Sequence, residues 1–170
     1  MHSAARITQK TARETRQLFA TVHNKLHWAI SRQTAAEIVH SRADSEKQNM
    51  GLTSWKNAPD GRIRKPDVCI AKNYLNEDEL NGLNRIVTMY LDYAEMQAQN
   101  RKIMTMTDLI QKLDAFLQFT EKEILANAGL VSAEIAKIFA ENQFEKYKVI
   151  QDRLFESDFD REIKQLKGKK

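Results

Sequence analysis

The chain has 170 residues, of which 42% are hydrophobic and 29% charged, and its formal net charge is +4. This length suits one globular domain that buries roughly 70% of its unfolded surface, so neither disulfides nor metal ions are needed for stability. The single cysteine, Cys69, excludes an internal disulfide and favours a cytoplasmic location, and no apolar run is long enough for a membrane span. Because glycine and proline are scarce, we predict an all-α fold and a single domain over residues 1–170.

The first two predicted elements are helices. Apolar residues recur at three- and four-residue steps between Thr11 and Ile30, which is the period of one helical face. A second helix begins at Thr34, because a threonine followed three residues later by Glu37 forms a capping box that satisfies two free backbone N–H groups. This helix is expected to end near residues 41–43.

Residues 44–65 are predicted to form a long ordered loop. Turn-forming residues replace the helical period there, yet the segment also holds large apolar side chains, and we expect Trp55 to pack in the core. A strand pair at residues 52–55 and 62–64 is the alternative. Pro66 then suits the first position of a short helix. The apolar residues after it also fit a buried strand, and of the two we choose the helix.

Further helices complete a total of about six. Asn76 and Glu79 form a second capping box, which opens a long helix that ends near Asn100. Another helix is predicted over residues 106–119, where apolar residues again follow the helical period.

The last part of the chain is predicted to hold two more helical stretches. Thr120 and Glu123 form a third capping box before a short helix, which Gly129 ends in a left-handed conformation. The final helix ends near Leu154, and the basic tail over residues 157–170 is expected to fray. The predicted apolar side of the final helix comprises Ile135, Phe139, Phe144, Tyr147, Ile150 and Leu154.

Two histidines have the spacing of a metal site. His23 and His27 are four residues apart and therefore share one helical face. No glutamate lies between them to act as a base, and a third ligand would have to come from another element. We interpret one histidine as part of the core and the other as part of the polar face, so no metal is predicted.

Other polar residues give weaker signals. Three acids and a lysine could form a set of the kind used in phosphoryl transfer, although each is also explained as a surface charge. Glycine-rich phosphate-binding motifs are absent from the sequence, so no cofactor is predicted. Basic residues are scattered without interleaved aromatic residues, which makes nucleic-acid binding a weak expectation. The four residues of the set are Glu37, Asp44, Lys72 and Asp92.

The phrases NMGLTSWK and AKNYLNE are long and distinctive. Together with the segments around them, over residues 18–150, they resemble the C-terminal domain of the RhuM virulence-protein family of bacteria. In longer members, this domain follows one similar to phage-type DNA-binding regulators, and similar segments occur beside Fic-type modules. The resemblance therefore implies that the N-terminal DNA-binding part is missing here, either because the gene is truncated or because this piece stands alone.

The resemblance also points to residues that could share a site. The chain departs from the family at His23, where glutamine is usual, and at Leu109, where tryptophan is frequent. The alternative to a ligand site is that the candidate residues, which are mostly polar, fix the long loop through hydrogen bonds to its backbone. No catalytic residue is assigned, and the candidates are His27, Arg42, Asp44, Asn49, Lys72, Asn73 and Tyr74.

Two functions are compatible with these observations. The first is a non-enzymatic accessory or interaction domain of a virulence- or mobile-element-associated protein, which acts through a protein partner or by self-association. The alternative is a toxin-like enzyme that acts on nucleic acid or nucleotides. In that case His27 or Asp44 would be the general acid or base, and Arg42 or Lys72 would stabilise phosphate charge.

Overall fold

The computed structural model describes residues 12–102 and 104–167. Every regular element within these ranges is helical, which confirms the all-α prediction and shows that the alternative strand pair is wrong. None of these helices is both long and apolar enough to cross a membrane. Thr11, the predicted start of the first helix, lies outside the described residues. The α-helices are α1 (Ala12–Ser31), α2 (Ala35–Arg42), α3 (Glu77–Gln99), α4 (Met106–Phe119) and α5 (Ala133–Lys167), and the 3-10 helices are η1 (Gln48–Gly51), η2 (Lys65–Cys69) and η3 (Ala71–Tyr74).

The chain forms two compact units. Unit 1 contains the described residues up to Arg32 together with Gly82–Ala128. Unit 2 contains Gln33–Asn81 together with the described residues from Gly129 onward. Helix α3 therefore begins in unit 2 and continues in unit 1. The single domain over residues 1–170 stays a prediction.

In unit 1, α1 and α4 pack together around buried aliphatic side chains. Leu26 of α1 is buried, as are Leu113 and Leu117 of α4. Lys25 is buried beside them, and its ammonium group donates to a carboxylate oxygen of Asp114 at 2.8 Å. Because the charge is paired, the aliphatic stem of the lysine can contribute to the packing of the two helices.

In unit 2, α5 packs against α2 and η2 through small and aromatic side chains. Ala136, Ala140, Phe144 and Tyr147 are buried, at steps of four, four and three residues along α5. This spacing keeps all four on one face of the helix, and the two alanines allow a neighbouring element to approach closely.

Three residues predicted on the buried side of the last helix are exposed instead. Ile135, Ile150 and Leu154 are 56%, 45% and 55% exposed. The prediction is wrong at these positions because the buried alanines give a weaker hydrophobic signal than the isoleucines next to them. Helix α5 also continues to Lys167, beyond the predicted end.

Two of the three predicted capping boxes are present. Thr34 with Glu37, and Asn76 with Glu79, exchange the expected hydrogen bonds at the starts of α2 and α3. The box at Thr120 is wrong, because this residue lies at the C-terminal end of α4. Its hydroxyl donates to carbonyl groups of the last helical turn, which need partners of their own. The short helix predicted after it does not form.

Candidate functional site

Six of the seven predicted site residues lie in unit 2, in or beside the segment that joins α2 to α3. The seventh, His27, lies on α1 in unit 1. In unit 2, Arg42 ends α2, Asn49 lies in η1, and the remaining residues belong to the loop or to η3. Four of the six have side chains that bond to the backbone of this segment or to the helices at its ends, and these are Arg42, Asp44, Asn73 and Tyr74.

Three consecutive residues near the start of the loop have left-handed backbone conformations and form a turn, which we call the left-handed turn. Asn49, Met50 and Gly51 have φ angles of 53°, 58° and 82°, a region that costs roughly 1–2 kcal/mol for a residue other than glycine. The Met50 side chain is fully buried. The backbone carbonyl oxygen of Met50 accepts a hydrogen bond from the backbone N–H of Asp44 at 3.2 Å. A Cβ on Gly51 would lie 2.2 Å from the carbonyl oxygen of Arg42, so only glycine fits there.

The Asp44 side chain supports the same turn. Its Oδ1 accepts a hydrogen bond from the backbone N–H of Glu46 at 3.0 Å, which is an Asx turn. Lys47 approaches the other carboxylate oxygen at 4.0 Å, a distance at which an exposed ion pair contributes little to stability. The geometry of Asp44 is that of a loop-forming residue.

Arg42 connects α2 with η3 and α3. Its Nη1 donates to a carboxylate oxygen of Glu79 at 2.6 Å and to the carbonyl oxygen of Tyr74 at 3.0 Å. Its Nη2 donates to the second carboxylate oxygen of Glu79 at 2.7 Å and to the side-chain oxygen of Gln33 at 3.2 Å. The bond to Glu79 raises the pKa of Arg42 further above its usual value. All four N–H groups of these two nitrogens therefore donate to protein acceptors.

Asn73 and Tyr74 hold the loop onto η2. The Asn73 amide donates to the carbonyl oxygen of Asp67 at 2.9 Å, and the Asn73 carbonyl oxygen accepts from the N–H of Thr53 at 2.8 Å. The Tyr74 hydroxyl donates to the carbonyl oxygen of Val68 at 2.7 Å. Burial raises the pKa of Tyr74, so its phenol stays neutral and keeps this hydrogen bond.

Lys72 and Cys69 differ in their accessibility. Lys72 is exposed, and it makes no ion pair within the part of the chain that the structure describes. Cys69 is half-buried, and this burial, followed by the charge of Glu141, raises the pKa of its thiol. A raised pKa keeps the sulfur in the less reactive thiol form.

A junction that sequence reasoning missed joins α2 to the segment before α5. The Glu37 carboxylate accepts from the N–H of Leu130 at 2.6 Å as well as from the N–H of Thr34 at 2.8 Å. Burial acts to raise the pKa of Glu37, but the hydrogen bonds from Leu130 and Thr34 outweigh it and lower that pKa. Gly129 has the predicted left-handed conformation, with a φ of 85°, and a Cβ there would lie 2.6 Å from Thr34 Cγ2.

His23 and His27 contact each other on α1. Their Nε2 atoms are 3.1 Å apart and their rings meet edge to face. His27 is buried and His23 is exposed, which is the division that the sequence predicted. Among the described residues, no group of three His, Cys, Asp or Glu side chains could hold a metal ion. One Nε2 donates to the other, so at least one of the two imidazoles is neutral.

We expect acid to destabilise unit 1 through this pair. Although part of the His23 side chain is exposed, burial of the rest lowers the pKa of His23 below 6.5, so the unfolded chain binds the proton more tightly than the folded chain. The stability contributed by neutral His23 is therefore complete above pH 6.5 and is lost as the pH falls from 6.5 toward the lowered value. The urea midpoint, followed by tryptophan fluorescence, should fall over this window. His23→Gln should show a smaller fall, and an equal fall in both proteins would contradict the assignment.

Comparison with known proteins identifies the family. The sequence model of the virulence protein RhuM family matches residues 2–156. The chain belongs to the virulence protein RhuM family. This membership confirms the resemblance seen in the sequence and associates the chain with virulence. No curated protein and no solved structure matches the chain significantly. In this RhuM-family chain, all seven predicted site residues fall within the matched range.

Proposed function

We propose that this RhuM-family chain is a non-enzymatic interaction domain of a cytoplasmic virulence- or mobile-element-associated protein. Its partner in this proposal is a second copy of the same chain, bound through α5. The observation that carries the proposal is a group of exposed apolar side chains on one face of that helix.

The exposed apolar face of α5 extends from near the start of the helix to its middle. Ile135, Ile138 and Val149 are 56%, 54% and 54% exposed. At about 3.6 residues per turn, these three positions fall within an arc of roughly 60° on the helix surface. Apolar residues that share one exposed helical face are typical of helices that pair with another helix. Because α5 has 35 residues, it offers a length of roughly 50 Å for such pairing.

The arrangement of this face suits a two-fold pairing of identical helices. An isologous interface uses the same surface twice, so each residue meets its counterpart across the two-fold axis. If two α5 helices run antiparallel about Asn142, which is exposed, Ile135 of one copy lies opposite Val149 of the other. Each copy then covers Ile135 and Val149 of the other, while Ile138 lies opposite Lys146 and a polar asparagine pair lies at the centre.

The contacts of the loop support the non-enzymatic part of the proposal. An enzyme that acts on nucleotides through these residues needs side chains that are free to bind phosphate or transfer protons. Arg42 instead donates to Glu79, Tyr74 and Gln33, and the neutral Tyr74 hydroxyl donates to a backbone carbonyl. These groups stabilise the loop, which is a structural role.

Association of the purified chain tests the proposal. We expect the full chain to dimerise in sedimentation equilibrium, and Ile135→Lys/Val149→Lys to weaken the dimer at least about tenfold, because two charges would be buried in an apolar contact. The matched control is Met89→Lys/Leu91→Lys, which changes two residues of α3 that are 46% and 60% exposed. A wild-type chain that stays monomeric, or an equal loss in both variants, would overturn the proposed pairing.

A further inference from the structure

A concave surface of unit 2 lies between the loop and α5. It has a volume of 480 Å³, within the range of roughly 300–1,000 Å³ that is usual for small-ligand sites. One wall is formed by Asn57 and residues 62–65 of the loop, and the other by Lys148 and Gln151 of α5 with their neighbours. We call this surface the basic groove, because its lining residues include four cationic side chains and one carboxylate.

The two walls of the basic groove are joined by a buried side chain. Gln151 is 5% exposed, and its amide oxygen accepts from the N–H of Ile63 at 2.8 Å. The amide nitrogen of the same side chain donates to the carbonyl oxygen of Ile63 at 3.1 Å. The backbone N–H and carbonyl groups of Ile63 are therefore both bound to α5. These two hydrogen bonds set the distance between the loop and the helix at the groove.

Two of the four cations are already matched by acids. Arg62 pairs with Asp152, and its guanidinium lies 4.6 Å from the ring centre of Phe155. Lys65 lies 3.6 Å from carboxylate oxygens of both Glu141 and Glu145. These contacts compensate the charges of the two side chains.

The other two cations are not compensated. Arg64 and Lys148 are exposed, and neither makes an ion pair with any described residue. Arg64 is nevertheless well placed by its backbone, because its N–H donates to Asp67 at 2.8 Å at the start of η2. The groove thus presents two uncompensated positive charges from two elements whose separation is fixed.

We propose that the basic groove binds a phosphate group, with Arg64 and Lys148 as its ligands. A phosphate monoester carries a charge of about −1.5 to −2 at neutral pH, which matches the two free cations, whereas each backbone phosphate of a nucleic acid carries one negative charge. The planar guanidinium can donate to two phosphate oxygens at once, and the ammonium group supplies a second, more compact charge. The phosphate belongs either to a small compound or to the backbone of a nucleic-acid strand, since both offer at least two negatively charged terminal oxygens.

Titration of the full chain with inorganic phosphate tests this site. In amide ¹H–¹⁵N spectra, we expect saturable shifts at residues 62–65 and 148–152, and a fall in apparent affinity of at least about tenfold in Arg64→Gln/Lys148→Gln. The control is Arg85→Gln/Lys112→Gln, which removes the same charge from exposed positions on α3 and α4. It should bind phosphate like the wild type. The spectrum of each variant without ligand shows whether it is folded.

Two outcomes would overturn the site. The first is the absence of saturable shifts in the wild-type chain. The second is an equal loss of affinity in the two double variants, because binding would then follow net charge rather than the groove.

A second titration distinguishes the two sources of phosphate. The probe is a short single-stranded DNA of mixed sequence, with inorganic phosphate as competitor. If the strand shifts the same amides and is displaced by phosphate, the site takes a nucleic-acid backbone, and its affinity should fall steeply with salt. If only inorganic phosphate binds, the site takes a small phosphate compound. Either result supports the phosphate site, and neither depends on the proposed pairing of α5.

Discussion

The Gly51→Ala substitution is expected to lower the free energy of unfolding of unit 2 by about 3–5 kcal/mol. Two penalties add. The first is the left-handed conformation, since the φ of 82° costs roughly 1–2 kcal/mol once a Cβ is present. The second is steric, because the new methyl group would lie 2.2 Å from the carbonyl oxygen of Arg42. That oxygen belongs to the backbone, so relief requires movement of the end of α2 or of the turn itself.

The measurement is urea unfolding of unit 2, read from the fluorescence of Trp55 in a Trp28→Phe background. Gly82→Ala is the control for an added methyl group within α3, and because Gly82 belongs to unit 1, its unfolding is read from Trp28 in a Trp55→Phe background. The Cβ at Gly82 would lie 3.2 Å from Ile30 Cδ1, the flexible end of a side chain. We expect this control to stay within about 1 kcal/mol of the parent, since alanine also favours a helix. Equal stability of the two alanine variants would show that the left-handed turn is not needed.

Local sequence signals were sufficient for most of the helical architecture. The capping boxes at Thr34 and Asn76 were predictable because both partners of each box lie three residues apart, so no tertiary information is needed. The burial of Trp55 was predictable because a large apolar residue in a polar loop needs a place to pack. Its indole N–H donates to the carbonyl oxygen of Gly61 at 2.7 Å, which closes the loop on itself.

The contacts that decide the roles of the candidate residues were not predictable in the same way. Glu37 meets Leu130, which lies 93 positions later in the chain, and Gln151 meets Ile63 across 88 positions. No period or motif in a single sequence connects residues so far apart. A threonine followed by an acid also has two meanings: Thr120 resembles a helix start but completes a helix end. Tertiary packing chooses between them.

These long-range contacts give the loop a structural purpose that its composition did not reveal. At the start of the loop, Arg42 bonds to η3 and α3. Near the end of the loop, Ile63 bonds to Gln151 of α5. The residue that follows this second anchor is Arg64, one of the two free cations of the basic groove. The two hydrogen bonds between Gln151 and Ile63 therefore hold the backbone from which Arg64 extends. Disturbing the left-handed turn should weaken the proposed phosphate binding only if the disturbance reaches Ile63.

The Arg42→Met substitution is expected to cost about 2–3 kcal/mol of stability in unit 2. Breaking a buried ion pair costs roughly 3–5 kcal/mol, and the side chains of Arg42 and Glu79 retain 26% and 17% exposure, which reduces the penalty. The loss has a clear origin, because the Glu79 carboxylate and the Tyr74 carbonyl both lose a donor. Arg32→Met is the control in unit 1, since the ion pair of Arg32 with Glu123 is about 60% exposed on both sides and should contribute about 1 kcal/mol or less to the stability of that unit.

A double-mutant cycle separates the pair from its surroundings. Glu79→Gln keeps an acceptor for the backbone N–H of Asn76 but removes the charge, so it retains most of the capping box. If the Arg42–Glu79 pair carries the stability, Arg42→Met should cost much less in the Glu79→Gln background, with a coupling energy of about 1–2 kcal/mol. Additive costs, with no coupling, would mean that Arg42 acts through Tyr74 and Gln33 alone. In that case the neutral hydrogen bonds of Arg42, and not its ion pair with Glu79, would stabilise the loop.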